Sequence, residues 1–166
     1  MSKKGKFSKP DTILTVAGRD PDNNFGIVNP PVYHASTILF PTVEKLNHRV
    51  PFEGVTYGRN GTPTQFALEE AFAELEGAHR CVAVQSGLAA VTGGVTGFLK
   101  AGDHMLVSDS AYGPTRKYAD SFLKRFGVER TYYDPLIGSG IESLMRRNTK
   151  VVFVESPGSQ TFEVQD

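Results

Sequence analysis

The sequence of 166 residues has no tryptophan, three methionines and a single cysteine, Cys81. One thiol cannot close an internal disulfide, which excludes a disulfide-stapled secreted scaffold and fits a reducing compartment. Cys81 sits in an apolar run and reads as a small core residue. Net charge is also missing. Eighteen Lys and Arg balance eighteen Asp and Glu, so no global field draws the chain to nucleic acid. No apolar run reaches the ~18 residues of a membrane span. The nearest, Gly87 to Leu99, is short and holds two threonines; its Gly93-xxx-Gly97 spacing reads as close helix packing. The N-terminus is polar, without the apolar stretch of a signal peptide, and the expected compartment is the cytoplasm. The lysines at 3, 4, 6 and 9 lie in a tail without acids that reads as a solvated arm.

Several chemical signatures are absent as well. His34, His48, His79 and His104 show no metal-ligand spacing, so no metal site is expected. There is no Gly-x-Ser-x-Gly elbow and no Walker sequence. No Gly-x-Gly-x-x-Gly follows a strand, which argues against a dinucleotide-binding oxidoreductase.

What is present divides the chain. Residues 1–61 hold six of the ten prolines, which excludes long helices and central strands and predicts an extended arm. One short helix is expected at Thr42–His48. Order begins at Thr62-Pro63-Thr64-Gln65, where Thr62 and Gln65 read as a capping box and Pro63 as the first helical residue. Phe66, Leu68, Ala71, Phe72 and Leu75 then fall on one helical face, and Gly77 is the expected stop. Strands and helices alternate beyond it. Strand Cys81–Gln85 leads to helix Leu88–Leu99, and strand His104–Ser108 to helix Pro114–Phe126, with Tyr118, Phe122 and Phe126 on one face. Strand Val128–Tyr133 leads to helix Gly140–Arg146, and strand Val151–Glu155 is last. The runs Val82–Val84 and Val151–Val154 are continuously apolar and predict strands covered on both faces. The fold class is α/β with a mostly parallel sheet.

Ligands of such sheets gather at the carboxyl ends of the strands. Gln85-Ser86-Gly87-Leu88 follows the first predicted strand and opens a helix, where free amides and the helix dipole suit a phosphate. Asp109-Ser-Ala-Tyr112-Gly113 follows the second, Asp134-Pro135 the third, and Glu155-Ser-Pro-Gly-Ser159 the fourth. Asp134 and Glu155 could pass for a catalytic carboxylate pair, but strand-end acids are commonly turn residues.

Four segments in this order carry a resemblance. Tyr57-Gly-Arg59-Asn-Gly-Thr62-Pro63-Thr64, Ser86-Gly87-Leu88, Asp109-Ser-Ala-Tyr112-Gly113-Pro-Thr115, and Asn148-Thr-Lys150 with Glu155–Ser159 match motifs of one family. From about Thr12 to Asp166 the chain resembles the N-terminal part of the pyridoxal-phosphate enzymes of cysteine and methionine metabolism. It resembles their bacterial cystathionine beta-lyases most closely. The resemblance implies part of the large domain of a fold-type I, aspartate-aminotransferase-like enzyme over residues 62–166. It implies pyridoxal 5'-phosphate as cofactor, with Ser86, Gly87 and Leu88 at its phosphate and Ser159 in the same site. Tyr57 and Arg59 would reach that phosphate from a neighbouring subunit, within a homodimer or homotetramer whose active sites are shared. Tyr112 would stack on the pyridine ring and, as an easily ionised phenol beside a cationic cofactor, help take a proton from the substrate amino group.

Ser159 stands where relatives acting at the gamma carbon tend to have Asn. With Asp134-Pro-Leu-Ile-Gly138, it favours beta-elimination of cystathionine to homocysteine, pyruvate and ammonia. The alternatives are another member of the family (cystathionine gamma-synthase, gamma-lyase or methionine gamma-lyase) and a non-catalytic α/β module for a phosphate-bearing ligand. In the family the Schiff-base lysine, the acid at the pyridine nitrogen and the carboxylate-binding arginine all lie beyond the fourth strand. The resemblance therefore implies an N-terminal fragment, inactive alone.

Overall fold

The computed structural model describes residues 9–50 and 54–165. The lysines at 3, 4 and 6, and Pro51, lie outside the described residues. Two compact units meet in sequence between Ala83 and Val84.

In the first unit, helix α1 spans Pro10–Val16 with proline in its first turn. Residues 9–17 carried no helix in the sequence reading, because seven residues are too few for a periodic signal. Helix α1 packs on α3 (Pro63–Leu75). Gly18 makes the approach possible: its φ is +71°, and a Cβ there would collide with the Ala67 carbonyl. Helix α2 covers Val43–Asn47, and Thr42 caps it by accepting the Lys45 N–H at 3.2 Å. Short 3-10 turns lie at Pro21–Asn23 and Gly58–Asn60.

Helix α3 has the predicted bounds but not the predicted cap. Thr62 is buried and makes no side-chain cap bond. The Gln65 amide donates instead to Glu69, whose carboxylate also accepts the Ala83 N–H at 2.8 Å. The capping role loses here to a side-chain bond one turn along the same helix. Gly77, at φ +61°, ends the helix in the left-handed conformation that glycine adopts without strain. None of the predicted apolar face is buried: Phe66 and Ala71 are half-buried and Leu68, Phe72 and Leu75 exposed, while the buried residue of the helix is Ala73.

The second unit holds a three-stranded parallel sheet in the order β2-β1-β3: β1 His104–Ser108, β2 Glu129–Tyr133 and β3 Thr149–Phe153. Helix α4 (Gly87–Thr96) precedes β1. After β1, helix α5 (Gly113–Lys117) continues as a π-helical stretch over Tyr118–Leu123. Tyr118, Phe122 and Phe126 stack along it with ring centroids 5.1 and 4.7 Å apart. The core lies between sheet and helices, with Met105 and Val107 of β1 against Val95, Ala119, Leu123 and Val128.

Three predicted elements differ. Cys81–Gln85 is not a strand; Val82 is 58% and Val84 46% exposed, and Cys81 is only half-buried. A strand needs a neighbour for its ladder, and the described strands give this run none. The segment Gly138–Leu144 is 3-10 rather than α-helical. Strand β3 pairs on one side only, and its burial alternates, with Val152 exposed. Only β1 is covered on both faces, all five of its residues being buried.

His104 pins the start of the sheet. Its Nδ1 lies 2.8 Å from Thr149 Oγ1 on β3, and its Nε2 2.9 Å from Thr131 Oγ1 on β2. Burial, with the Arg146 charge nearby, pushes its pKa below the ordinary imidazole value. Nearby, Arg146 pairs with Glu129 at 2.5 Å.

Candidate cofactor site

Of the expected site residues, Tyr112 and Ser159 lie in the loops after β1 and β3, and Ser86, Gly87 and Leu88 lie at the start of α4. Ser86 caps α4, its Oγ accepting the Ala89 N–H at 3.1 Å. The hydroxyl proton of Ser86 is therefore left to donate. The first helical bond runs from Ala90 N–H to Ser86 O, so the helix does not engage the amides of Gly87 and Leu88. A Cβ added at Gly87 would meet nothing within 4 Å, so the space on the side-chain side of its Cα is open. A hydroxyl and free amides at the positive end of a helix suit a phosphate dianion. The donor set fits pyridoxal phosphate at its phosphate end.

Tyr112 is 51% exposed and is the N-cap residue of α5. Its backbone N–H donates to both carboxylate oxygens of Glu155, at 3.2 and 3.1 Å. The loop after β3 folds against the loop after β1. Ser159 N–H donates to Ser110 O at 2.8 Å, and a Cβ on Gly158 would collide with the Ser110 side chain. Tyr112 and Ser159 thus belong to two loops tied to each other. Ser108 and Ser110 share a buried hydroxyl–hydroxyl bond of 2.9 Å beneath them.

Arg116 braces the β1 loop. Its guanidinium donates to the carbonyl and the carboxylate of Asp109, both at 2.5 Å, and lies 4.1 Å from the centre of the Tyr132 ring. The Asp109 bond raises the Arg116 pKa. Burial, followed by the hydrogen bond to Asp120, holds the Tyr132 phenol above its ordinary range.

Tyr57 and Arg59 belong to the first unit, Tyr57 just before the turn Gly58–Asn60 and Arg59 within it. Both side chains are exposed, and Tyr57 Oη accepts from Ser36 Oγ at 3.5 Å. Gly58 between them has no room for a Cβ, which would meet the Ala35 carbonyl. Asp134 and Glu155 do not work as a pair. Asp134 accepts the Leu136 N–H at 2.8 Å within its own turn, while Glu155 holds Tyr112. That second role was missed, because an acid after a strand carries no sign of the backbone it will meet.

The family model for Cys/Met metabolism PLP-dependent enzymes matches residues 11–166. A provisionally named cystathionine beta-lyase of Rhizobium johnstonii is 55% identical over 156 residues, covering 94% of this chain and 39% of its own length. Cystathionine beta-lyase MetC of Escherichia coli is 41% identical over 161 residues, 95% of this chain and 41% of its own. A crystal structure of a provisionally named O-acetylhomoserine (thiol)-lyase from Campylobacter jejuni, containing N'-pyridoxyl-lysine-5'-monophosphate, superposes with a TM-score of 0.85. It is 25% identical and covers 96% of this chain and 40% of that one. The chain therefore spans about two fifths of the length of these relatives. The parallel sheet and a family match over nearly the whole sequence lead to one assignment: this chain belongs to the Cys/Met metabolism PLP-dependent enzymes.

Proposed function

We propose that this chain forms the phosphate- and ring-binding part of an enzyme that splits cystathionine, with water, into homocysteine, pyruvate and ammonia. The observation that carries the reading is the N-terminus of α4, where the Ser86 hydroxyl proton and the Gly87 and Leu88 amides are not taken up by the helix. Those three residues hold the phosphate, and Tyr57 and Arg59 reach it from a second copy of the chain in a homo-oligomer. An Arg fork suits a phosphate dianion, and two exposed side chains on a tight turn suit a shared site. Tyr112 would stack on the cofactor ring, and its phenol oxygen would take a proton from the substrate amino group. Ser159, tied to Ser110, would belong to the same cofactor site. Pyridoxal phosphate, when bound, supplies the electron sink that lets the carbon–sulfur bond break.

We further propose that the lysine for covalent attachment lies outside these 166 residues and that they do not turn over substrate alone. Two facts support this. Among the described lysines, Lys100 precedes β1 and Lys150 lies at the start of β3, while Lys45, Lys117 and Lys124 lie on or beside helices. None is at the carboxyl end of a strand. The relatives are also more than twice as long.

The test uses the complete enzyme and the 166-residue chain side by side. With cystathionine, the complete enzyme should release pyruvate; release of 2-oxobutyrate instead would favour the gamma-lyase alternative, and neither product would overturn the lyase reading. Borohydride reduction with pyridoxal phosphate should leave the 166-residue chain unlabelled. Stoichiometric labelling of one lysine in it would overturn the second proposal.

A further inference from the structure

Among the described residues, Glu155 is the side chain that takes the Tyr112 N–H. Tyr112 caps α5 without using its own side chain. Its N–H is taken by the Glu155 carboxylate, 3.1 and 3.2 Å away and 43 residues on in sequence. A charged acceptor makes a stronger bond to an amide than a neutral one does.

The backbone of Glu155 is itself held in place. The Glu155 carbonyl accepts from Gln165 Nε2 at 2.8 Å. The Gln165 side-chain oxygen accepts from the buried Tyr133 hydroxyl at 3.0 Å, and its backbone N–H donates to Ser156 Oγ at 3.0 Å. Tyr133 lies in β2, and its single hydroxyl proton is shared between Gln165 and the Phe153 carbonyl of β3, 3.2 Å away. A chain of bonds thus runs from the sheet through Gln165 and Glu155 to the backbone of Tyr112. Arg116 fixes Asp109, three residues before Tyr112, and Ser159 fixes Ser110. Neither touches Tyr112's own N–H.

We propose that Glu155 is a positioning residue for the cofactor ring: by holding the Tyr112 peptide it sets the plane on which the ring stacks. The proposal rests on the reading of Tyr112 as the stacking residue. Glu155 acts only through Tyr112, so its contribution disappears when the tyrosine ring is gone.

The test measures pyridoxal-phosphate affinity and the absorbance of the bound cofactor in the complete enzyme, with the Tm of each cofactor-free variant as a check on folding. Glu155→Ala should weaken affinity about tenfold, the worth of one charge-assisted hydrogen bond, and shift the absorbance band. Glu155→Gln keeps an oxygen acceptor at the same reach and should stay within about threefold of wild type. In a Tyr112→Ala background, Glu155→Ala should add nothing, as a coupled pair requires. Unchanged affinity in folded Glu155→Ala, or a full additional loss in the Tyr112→Ala background, would overturn the proposal. Should Glu155→Ala fail to fold, Glu155→Asp carries the comparison: its carboxylate is one methylene too short, so it should bind worse than Glu155→Gln, and the reverse order would overturn the proposal. A wild-type enzyme without a bound-cofactor band would refute the cofactor-binding reading and this inference with it, whereas a normal wild type with an unaffected Glu155→Ala would refute this inference alone.

Discussion

Two apolar runs of similar length meet different fates. Met105-Leu106-Val107 lies in β1, the middle strand, with ladders on both sides and every residue buried. Cys81-Val82-Ala83-Val84 has no ladder among the described residues, and its two valines are exposed. Hydrophobicity proposes a strand, but neighbours make one: an unpaired backbone keeps its N–H and C=O bonds to water and gains nothing by extending. Helix α4, just after the second run, forms anyway, because its cap is local.

The sharpest way to test that contrast is to truncate one residue in each run. Leu106 is fully buried, and Leu106→Ala should cost about 2–5 kcal/mol in urea unfolding of the chain. Val82→Ala in the same chain should stay within about 0.5 kcal/mol. Equal losses would mean that the first run is packed after all. Acid should act next, through the amino end of β1. The folded-state pKa of His104 is lowered from 6.5, chiefly by burial. Unfolded chains therefore bind more protons as pH drops below the unfolded value. Stability is full above about pH 6.5 and falls as pH decreases from there toward the folded pKa. Urea midpoints at neutral and mildly acidic pH should show that fall, and His104→Asn should reduce it. The smallest effect is expected where α4 starts. Ser86→Ala removes the cap and should cost about 1 kcal/mol, while Val84→Ala, two residues earlier, should be nearly silent. A silent Ser86→Ala would show that α4 is held by packing rather than by its cap.

The elements that could be read in advance were those whose signals are local. Pro63 and Gly77 bracket α3, and residues 104–108 form β1 with the predicted bounds. The α/β class and the loops at the strand ends followed from the alternation of such segments. Features decided by distant partners could not be read. Val151–Val154 reads like a central strand, yet β3 pairs on one side only. At the candidate site, Ser86 and Tyr112 stood out through their motifs, while Glu155 entered as half of a carboxylate pair and emerged as the acceptor of a tyrosine's amide.

The imidazole at the start of β1 also bears on how the chain avoids pairing wrongly. His104 faces Glu129 and Thr149 in the ladder, and the register then skips Lys150, so that Met105 meets Val151. Sliding either outer strand by one position would turn its threonine hydroxyl to the other face. The ring nitrogen it serves would then be sealed in without a partner, at a cost of kilocalories. Leucine at this place would tolerate such a slip. A histidine with both nitrogens committed rejects it, so the least hydrophobic residue of the central strand is the one that tells its neighbours where to stop.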